Sequence, residues 1–317
     1  MDNKNTPVEL YRKYRPAIFK DVVGQEGAVK TLKGLLDTGK FPHALLLTGP
    51  SGTGKTTLAR ILQKKLKCGD SDFVEINVAE SRGIDTIREI QQRMGLTPLG
   101  GACRIWLFDE CARWTLDAMS SLLKVLEDTP SHVYFILATT DPDKLLKTIQ
   151  TRCTEVKVRS LTPPELVTML QSVAAKENLT TPKSVLEAIA DAADGSARKA
   201  LVVLHQVMGL ATEAEQLEQV HKENSKQHTQ ELVRALMDPK KKWEDVAKLI
   251  GDVEQSGEEP EGVRRRILGY AKALMKVTAK ASWANLILTE FEKNWYDCGW
   301  AGLWNKAYFV FGDRSKK

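Results

Sequence analysis

The sequence lacks the features that mark membrane, secreted and zinc-binding proteins. None of its apolar runs approaches the roughly 20 residues that span a bilayer, and its polar start (MDNKN) has no signal-peptide core. The five cysteines are odd in number and scattered, with no C-x-x-C spacing, so neither a disulfide framework nor a zinc site is indicated. These absences predict a soluble, intracellular chain without zinc and without a membrane contact.

Composition and charge set broad limits. The chain has 317 residues, 42% hydrophobic and 27% charged, which is typical of a soluble protein of two or three domains. Residues 1–160 hold 24 Lys and Arg against 19 Asp and Glu, whereas the remainder holds 22 of each, so the first half carries the whole net charge of +5. This surplus permits a polyanionic partner but does not require one.

The glycine-rich stretch GPSGTGKT (49–56) is the strongest signal in the chain. It follows the apolar run 44–47 and opens an amphipathic helical pattern, which is the context of a phosphate-binding loop. Lys55 is expected to reach the β and γ phosphates of ATP, and the Thr56 hydroxyl to bind Mg²⁺. An ordinary glycine-rich turn is the alternative. The loop residues expected to contact nucleotide are Gly52, Thr53, Gly54, Lys55, Thr56 and Thr57.

A pair of acids, Asp109 and Glu110, ends the apolar run 105–108. Two acids at the carboxyl end of a strand suit magnesium chemistry. We expect Asp109 to hold the metal and Glu110 to orient or deprotonate the water that attacks the γ phosphate. Alone, the pair is also compatible with a solvated turn at a strand end.

The hydrophobic pattern changes near residue 160. Before it, the apolar runs 44–48, 73–77, 105–108 and 133–138 alternate with helical patterns, which predicts an α/β parallel sheet covered by helices. After it, the pattern is helical and contains no strand. Thr162 and Glu165 form a capping box for a new helix, and Pro182 opens a helix that runs to about residue 210. The polar stretch 212–228 fits a linker or an exposed helix.

Together these motifs resemble the clamp-loader ATPases of the AAA+ class, which include bacterial gamma/tau subunits, replication factor C small subunits and phage counterparts. The resemblance covers residues 8 to about 208 and begins with LYRKYRP (10–16) and VVGQ (22–25). It implies an AAA+ parallel sheet domain (1–160), a helical lid (161–212) and an all-α collar domain for oligomerisation (213–317). It also assigns an adenine-side role, with an arm packed on the sheet as the alternative, to Tyr11, Arg12, Tyr14, Arg15 and Val23.

Three further motifs carry expected roles at the phosphates through the same resemblance, catalytic for Thr140 and Arg152 and nucleotide-binding for Arg198. Thr140, in TTDP (139–142), matches a residue that senses the γ phosphate, with a strand-end turn as the alternative. Arg152, in TRC (151–153), matches an arginine finger that acts in trans on the neighbouring subunit's ATP, with an ordinary surface arginine as the alternative. Arg198, in GSARKAL (195–201), matches a lid residue that touches the phosphates, with a surface salt bridge as the alternative.

The segment 81–99 resembles the region that meets DNA and the sliding clamp. The candidate contacts with DNA phosphates are Arg82 and Arg88, followed by Arg113 and Lys124. The alternative is that these are ordinary solvated basic residues. The end of its helix is expected to dock on the clamp or, nearly as readily, to be buried against the sheet. The residues of this tip are Ile90, Met94, Leu96 and Leu99.

The resemblance thus implies an ATPase subunit that opens a sliding clamp and places it on primer-template DNA. ATP and Mg²⁺ would be its cofactors, and other clamp-loader subunits, in a complex expected to be pentameric, its partners. The zinc module of bacterial gamma subunits is absent between residues 67 and 73, and we expect a phage-encoded protein that acts in the host cytoplasm. The alternatives are a branch-migration helicase and a structural subunit that does not hydrolyse ATP. The aromatic stripe 291–308 fits core packing or subunit contact.

Overall fold

The computed structural model describes residues 9–255, 260–275, 281–293 and 298–313, with no side-chain description for 221–227 and 255. The chain divides into two compact units, Met1–Met208 and Gly209–Lys317. The predicted α/β fold class, with a helical lid and a further helical region, is confirmed. The first unit includes both the sheet and the lid helices, so the expected boundary at residue 160 lies inside it.

A five-stranded parallel sheet forms the centre of the first unit. The strands are β1 (Ala44–Thr48), β2 (Cys68–Asn77), β3 (Cys103–Asp109), β4 (Val133–Thr139) and β5 (Thr154–Lys157). They lie in the order β2-β3-β4-β1-β5. Strands β1 and β4 are buried almost throughout, as expected when helices cover both faces of a parallel sheet.

Nine described helices surround or follow this sheet. They are α1 (Leu10–Lys13), α2 (Glu26–Asp37), α3 (Lys55–Lys65), α4 (Ile84–Met94), α5 (Leu116–Glu127), α6 (Lys147–Gln150), α7 (Pro163–Lys176), α8 (Lys183–Ala192) and α9 (Ala197–Val207). The alternation of side chains along β1 divides the core. Leu45 and Leu47 join the cluster that α2 and α3 cover, and Leu46 joins the cluster that α4 and α5 cover. Helices α7, α8 and α9 form the lid.

Several boundaries differ from the sequence-based prediction. Strand β2 begins at Cys68 rather than at residue 73, and β5 was not predicted, because its four residues include only one buried side chain, Val156. The helix expected after Pro182 is two helices. Gly195, at φ +74°, lies in the turn between them, and a Cβ there would lie 2.5 Å from the Ser160 Cβ. Of the two options left open for the stretch 212–228, the helix is confirmed, because the stretch belongs to a helix that a Thr212 capping box begins.

The described part of the second unit is helical. Its helices are α10 (Glu213–Met237), α11 (Trp243–Gln255), α12 (Pro260–Leu274), α13 (Ala281–Glu290) and α14 (Gly299–Asp313). Phe291 is fully buried in their core, and Trp304 packs against that core and contacts the Trp243 ring at 6.4 Å between centroids. Tyr308 stays 59% exposed, and Trp295 lies outside the described residues. The stripe therefore packs the core over most of its described length.

None of the helices in the described ranges combines the length and apolar character needed to cross a membrane.

Candidate nucleotide-binding site

The glycine-rich loop leaves β1 and enters α3, and its backbone requires glycine at several positions. Gly49, Gly52 and Gly54 have φ angles of +144°, +74° and +109°. A Cβ on Gly49 would lie 1.9 Å from the Val158 carbonyl oxygen, and one on Gly52 would lie 2.1 Å from the Ser196 hydroxyl oxygen. The loop leads directly into α3, whose first-turn amides have no partner within the helix. This is the geometry of an anion-binding turn.

Lys55 is the first residue of α3 and is only 8% exposed. Its Nζ donates to the carbonyl oxygens of Gly49 at 2.7 Å and of Pro50 at 2.8 Å. Burial lowers the pKa of Lys55, and the nearby Asp109 carboxylate partly offsets that effect. A buried cation whose bonded partners are neutral carbonyls attracts an anion strongly, because little water screens the interaction.

Thr56 and Asp109 bring the two main motifs together. The Thr56 hydroxyl donates to Asp109 Oδ2 at 3.0 Å, although the two residues are 53 positions apart. This contact arises because β1 and β3 flank β4, so the loop after β1 and the acid at the end of β3 meet at the same edge of the sheet. A hydroxyl and a carboxylate fit Mg²⁺, which takes a few protein oxygens and otherwise keeps water and phosphate as ligands.

Glu110 and Thr140 lie at the same edge. Glu110 has φ +54°, in the left-handed region, and its amide donates to Asp109 Oδ1 at 3.0 Å. Its carboxylate is about half exposed and pairs with Arg113, 2.6 Å from Nε to Oε2. Thr140 is exposed and follows β4. Its neighbour Thr139 is buried. Glu110 and Thr140 both line a cavity of about 580 Å³, together with the glycine-rich loop, Lys55, Thr56 and Asp109.

The N-terminal arm, residues 11–23, also contributes to the lining of this cavity. Tyr11, Tyr14, Arg15 and Val23 all line it, so four of the five expected adenine-side residues meet there. Arg12 does not line the cavity. It lies on the solvent side of the short helix α1, where its Nε donates to the Tyr11 hydroxyl at 3.2 Å.

The lid closes the cavity from a third side. Arg198 lines it, with its guanidinium 5.8 Å from the centre of the Tyr11 ring. The amide of Arg198 donates to the Gly52 carbonyl oxygen at 3.3 Å, so the lid contacts the glycine-rich loop directly. Sequence reasoning missed Met169, Val173 and Lys176, which line the cavity from α7. Their spacing of four and three residues on a capped helix is the signal that indicates one helix face.

Arg152 lies outside this cavity, after α6. It is exposed, its Nη1 donates to the Thr148 carbonyl oxygen at 3.0 Å, and its Nη2 pairs with Glu127 at the end of α5. The guanidinium is thus held on the surface by two acceptors of its own chain and does not reach the site that Lys55 marks.

The expected DNA contacts are exposed on and around α4 and α5. Arg82 donates to the Ala79 carbonyl oxygen at 3.0 Å, and Arg88 pairs with Asp85 at 2.9 Å. Arg82 and Arg113 also line a second cavity, of about 310 Å³, which includes Glu110 and Thr140. Lys124 is exposed on α5.

The expected clamp-docking tip is divided by the structure. Leu96 and Leu99 are 58% and 84% exposed, but Ile90 and Met94 are 3% and 8% exposed and belong to the core cluster beneath α4. Ile90 and Met94 therefore cannot present their side chains to a partner in this conformation. Both lie on the face of α4 that packs toward the sheet, so the tip that remains is the loop after the helix.

Family models match three consecutive parts of the chain. They are the Rad17 P-loop domain over residues 2–81, the delta subunit of DNA polymerase III over residues 70–162, and the RCF1/5-like AAA+ ATPase lid domain over residues 168–207. In that order, the three segments contain Lys55, Asp109 and Arg198, all of which line the cavity.

Two bacterial relatives match over longer stretches. The tau subunit of DNA polymerase III from Bacillus subtilis is 32% identical over 290 residues, which are 84% of this chain and 51% of the relative. The gamma/tau subunit from Mycobacterium tuberculosis is 35% identical over 227 residues, 64% of this chain and 39% of the relative. The chain thus spans about half the length, or less, of these relatives.

The fold is also similar to a solved structure, the RuvB Holliday junction branch migration motor of Thermotoga maritima. The TM-score is 0.58 at 20% identity, and the match covers 71% of this chain and 80% of that one. At this identity the likeness concerns the fold alone. The relatives and the family models show that the chain is related to the AAA+ clamp-loader ATPases, among them the gamma and tau subunits of DNA polymerase III and replication factor C subunits.

Proposed function

We propose that the chain is an ATP-hydrolysing subunit of a sliding-clamp loader, which opens the clamp and places it on primer-template DNA. The observation that carries this proposal is the cavity of about 580 Å³ in which a buried lysine, a threonine–aspartate pair and a second acid meet. The names of the gamma and tau relatives support a role in replication.

In this proposal the chain's own residues divide the work. Lys55 leaves its two loop carbonyls and binds the β and γ phosphates, because charged oxygens are stronger acceptors than carbonyls. Thr56 and Asp109 would hold Mg²⁺, and the metal would offset negative charge on the phosphates. Glu110 orients the attacking water and accepts its proton, and it must release Arg113 to do so. Thr140 contacts the γ phosphate, and Arg198 contacts it from the lid.

Arg152 would complete a neighbouring subunit's site. Its surface position, away from its own cavity, is compatible with action in trans, and its planar guanidinium suits the charge on a phosphoryl group in transfer. Arg82, Arg88, Arg113 and Lys124 would contact DNA phosphates. Leu96 and Leu99 would contact the clamp.

A steady-state ATPase assay tests the proposal, with the chain alone and with its assembled complex, each measured with and without primer-template DNA and the clamp. We expect turnover in the complex and stimulation by primer-template DNA together with the clamp. A complex that binds ATP without turnover would instead be the structural subunit.

An unwinding assay distinguishes the proposed function from that of a helicase. A helicase complex would unwind fork or junction substrates without any clamp, and adding the clamp would leave its unwinding rate unchanged. We expect no unwinding, and clamp-dependent stimulation of ATP hydrolysis. Unwinding without the clamp would overturn the proposal in favour of a DNA motor.

A further inference from the structure

The carboxamide of Gln25 joins two parts of the first unit that are far apart in the chain. Its Nε2 donates to the carbonyl oxygens of Thr53 at 3.3 Å and of Arg159 at 2.7 Å, and its Oε1 accepts the Arg159 amide at 3.1 Å. Gln25 is 3% exposed. Thr53 belongs to the glycine-rich loop, and Arg159 belongs to the connector between β5 and the lid. One buried side chain therefore bonds the phosphate-binding element and the entry to the lid.

The side chain of Arg159 also binds the connector to the first turn of α7. Arg159 Nη1 and Nη2 donate to the two carboxylate oxygens of Glu165 at 2.9 Å and 2.6 Å. Glu165 Oε2 also accepts the amide of Thr162, which starts α7. A Cβ on Gly24 would lie 2.9 Å from Glu165 Oε2, so the segment before α2 fits closely against this cap. A shift of the connector would thus be passed to the first turn of α7.

The loop meets the lid at a second point, next to the first. The amide of Arg198 donates to the Gly52 carbonyl oxygen, and Gly52 has no room for a Cβ because Ser196 lies against it. Gly52 and Thr53 are adjacent, so the same two peptides contact α9 directly and the connector through Gln25. Binding of phosphate by Lys55 would draw its ammonium group from the Gly49 and Pro50 carbonyls and change the loop's conformation at this place.

We propose that Gln25 is a positioning residue that couples the phosphate-binding loop to the lid, so that the loop's conformation sets where Arg198 lies over the phosphates. The proposal rests on ATP binding at this loop. The carboxamide suits this role because it satisfies both the amide and the carbonyl of one connector residue, as a neighbouring strand would, and still reaches the loop. Gln25 itself touches no phosphate in this scheme and acts only through Thr53 and Arg159.

The test is a double-mutant cycle with Gln25→Met and Arg198→Ala, in which ATP and ADP affinities are measured by fluorescence titration. Methionine keeps the volume of glutamine but cannot make the three hydrogen bonds. We expect Gln25→Met to weaken ATP binding about tenfold and ADP binding less than about threefold, since the lid contact concerns the terminal phosphate. In the Arg198→Ala background the same substitution should cost less than about twofold in ATP affinity.

Gln63→Met is the matched control, because Gln63 is also buried in this unit and bonds only Asp70 among the contacts described. It should leave both affinities unchanged. Equal losses for ATP and ADP after Gln25→Met, or additive losses with Arg198→Ala, would overturn the coupling role. A wild-type chain that binds no ATP would instead overturn the proposed function itself.

A measurement on the wild-type chain covers the case in which Gln25→Met does not fold. Amide hydrogen exchange reports the Arg159 amide, which donates to Gln25 Oε1. A second reporter is the Leu161 amide, which donates to the Gly195 carbonyl oxygen at 3.0 Å. We expect saturating ATP to change the exchange rate at Arg159 and at Leu161 more than ADP does. Identical exchange with and without nucleotide at both positions, in a chain shown to bind ATP, would overturn the inference.

Discussion

The cavity edge of the sheet and the outer face formed by α4 and α5 hold their charged residues in opposite ways. At the cavity edge, Lys55 is buried and bonds the loop carbonyls, and the half-buried Thr56 bonds Asp109, which is 53 positions away in the chain. On the outer face, Arg88 is exposed and pairs with an acid three residues away on the same helix. Arg152, which follows α6, is exposed and pairs with Glu127 at the end of α5.

This difference separates residues whose chemistry is assembled within one chain from residues that require a partner. A buried lysine among carbonyl oxygens has the geometry of a phosphate site within one chain, so its proposed role requires no partner. An exposed arginine in a local ion pair gains little stability from that pair, and it can exchange its carboxylate for a phosphate at little cost. The outer residues are thus the ones whose proposed roles depend most on assembly.

The largest effect is expected for Arg152→Ala in the assembled complex. Loss of an arginine finger lowers ATP turnover about 10³-fold or more, whereas ATP affinity of the isolated chain should change less than about twofold. Steady-state ATPase and fluorescence titration measure the two quantities. Arg93→Ala is the control, since Arg93 is equally an exposed arginine in an ion pair. Normal turnover by the Arg152 variant would place this residue with the ordinary surface arginines.

A somewhat smaller effect is expected for Glu110→Gln, which keeps the size of the side chain and removes the base. Turnover should fall about 10²- to 10⁴-fold while ATP binding persists, because general-base catalysis contributes a factor of that order. Single-turnover hydrolysis and titration check the two parts. Glu89→Gln, an exposed acid paired with Arg93, should leave both unchanged. Turnover within tenfold of wild type would remove Glu110 from the catalytic set.

A modest effect is expected for Arg88→Ala on DNA binding by the complex. If Arg88 neutralises one phosphate, the slope of log affinity against log salt should become shallower by about 0.9 for each subunit that makes the contact. Affinities measured from low to moderate salt give this slope. Lys183→Ala, which removes an exposed cation of the lid, should leave it unaltered. An unchanged slope for Arg88→Ala would mean that this face does not meet DNA.

The smallest effect is expected for the ion pair of Arg159 and Glu165 at the base of the lid. Its side chains are more exposed than Lys55 and less exposed than Arg88. The Arg159 guanidinium and the Thr162 amide lower the pKa of Glu165 from 4.5 to about 2. A carboxylate with a lowered pKa stabilises the fold above its unfolded-state pKa and loses that contribution as the pH falls from about 4.5 to about 2.

Glu165→Gln should therefore flatten the decline of the melting temperature across this pH range, as measured by circular dichroism. Glu187→Gln, on the exposed face of α8, should keep the wild-type slope. A variant at position 165 with the same acid limb as the wild type would contradict the lowered pKa.

Contiguous motifs were predicted best. The apolar runs before residues 49, 109 and 139 are central strands of a parallel sheet, because such strands are buried on both faces and read as unbroken hydrophobic stretches. The edge strand β5 was missed for the opposite reason, since alternating polar residues in a four-residue strand produce no run. For Ile90 and Met94 on α4, the sequence left docking on a partner and burial against the sheet both open, and the structure places them in the core.

The sequence by itself indicated the glycine-rich loop, the acids after β3 and the strands β1 to β4, because each depends on residues adjacent in the chain or at a fixed period. Only the tertiary structure decided which side chains meet. It placed Thr56 against Asp109, turned Arg12 to solvent, and joined Thr53 to Arg159 through Gln25. These contacts depend on which strands become neighbours and on which face a helix packs, and that information lies in the packing of the whole unit rather than in any one segment.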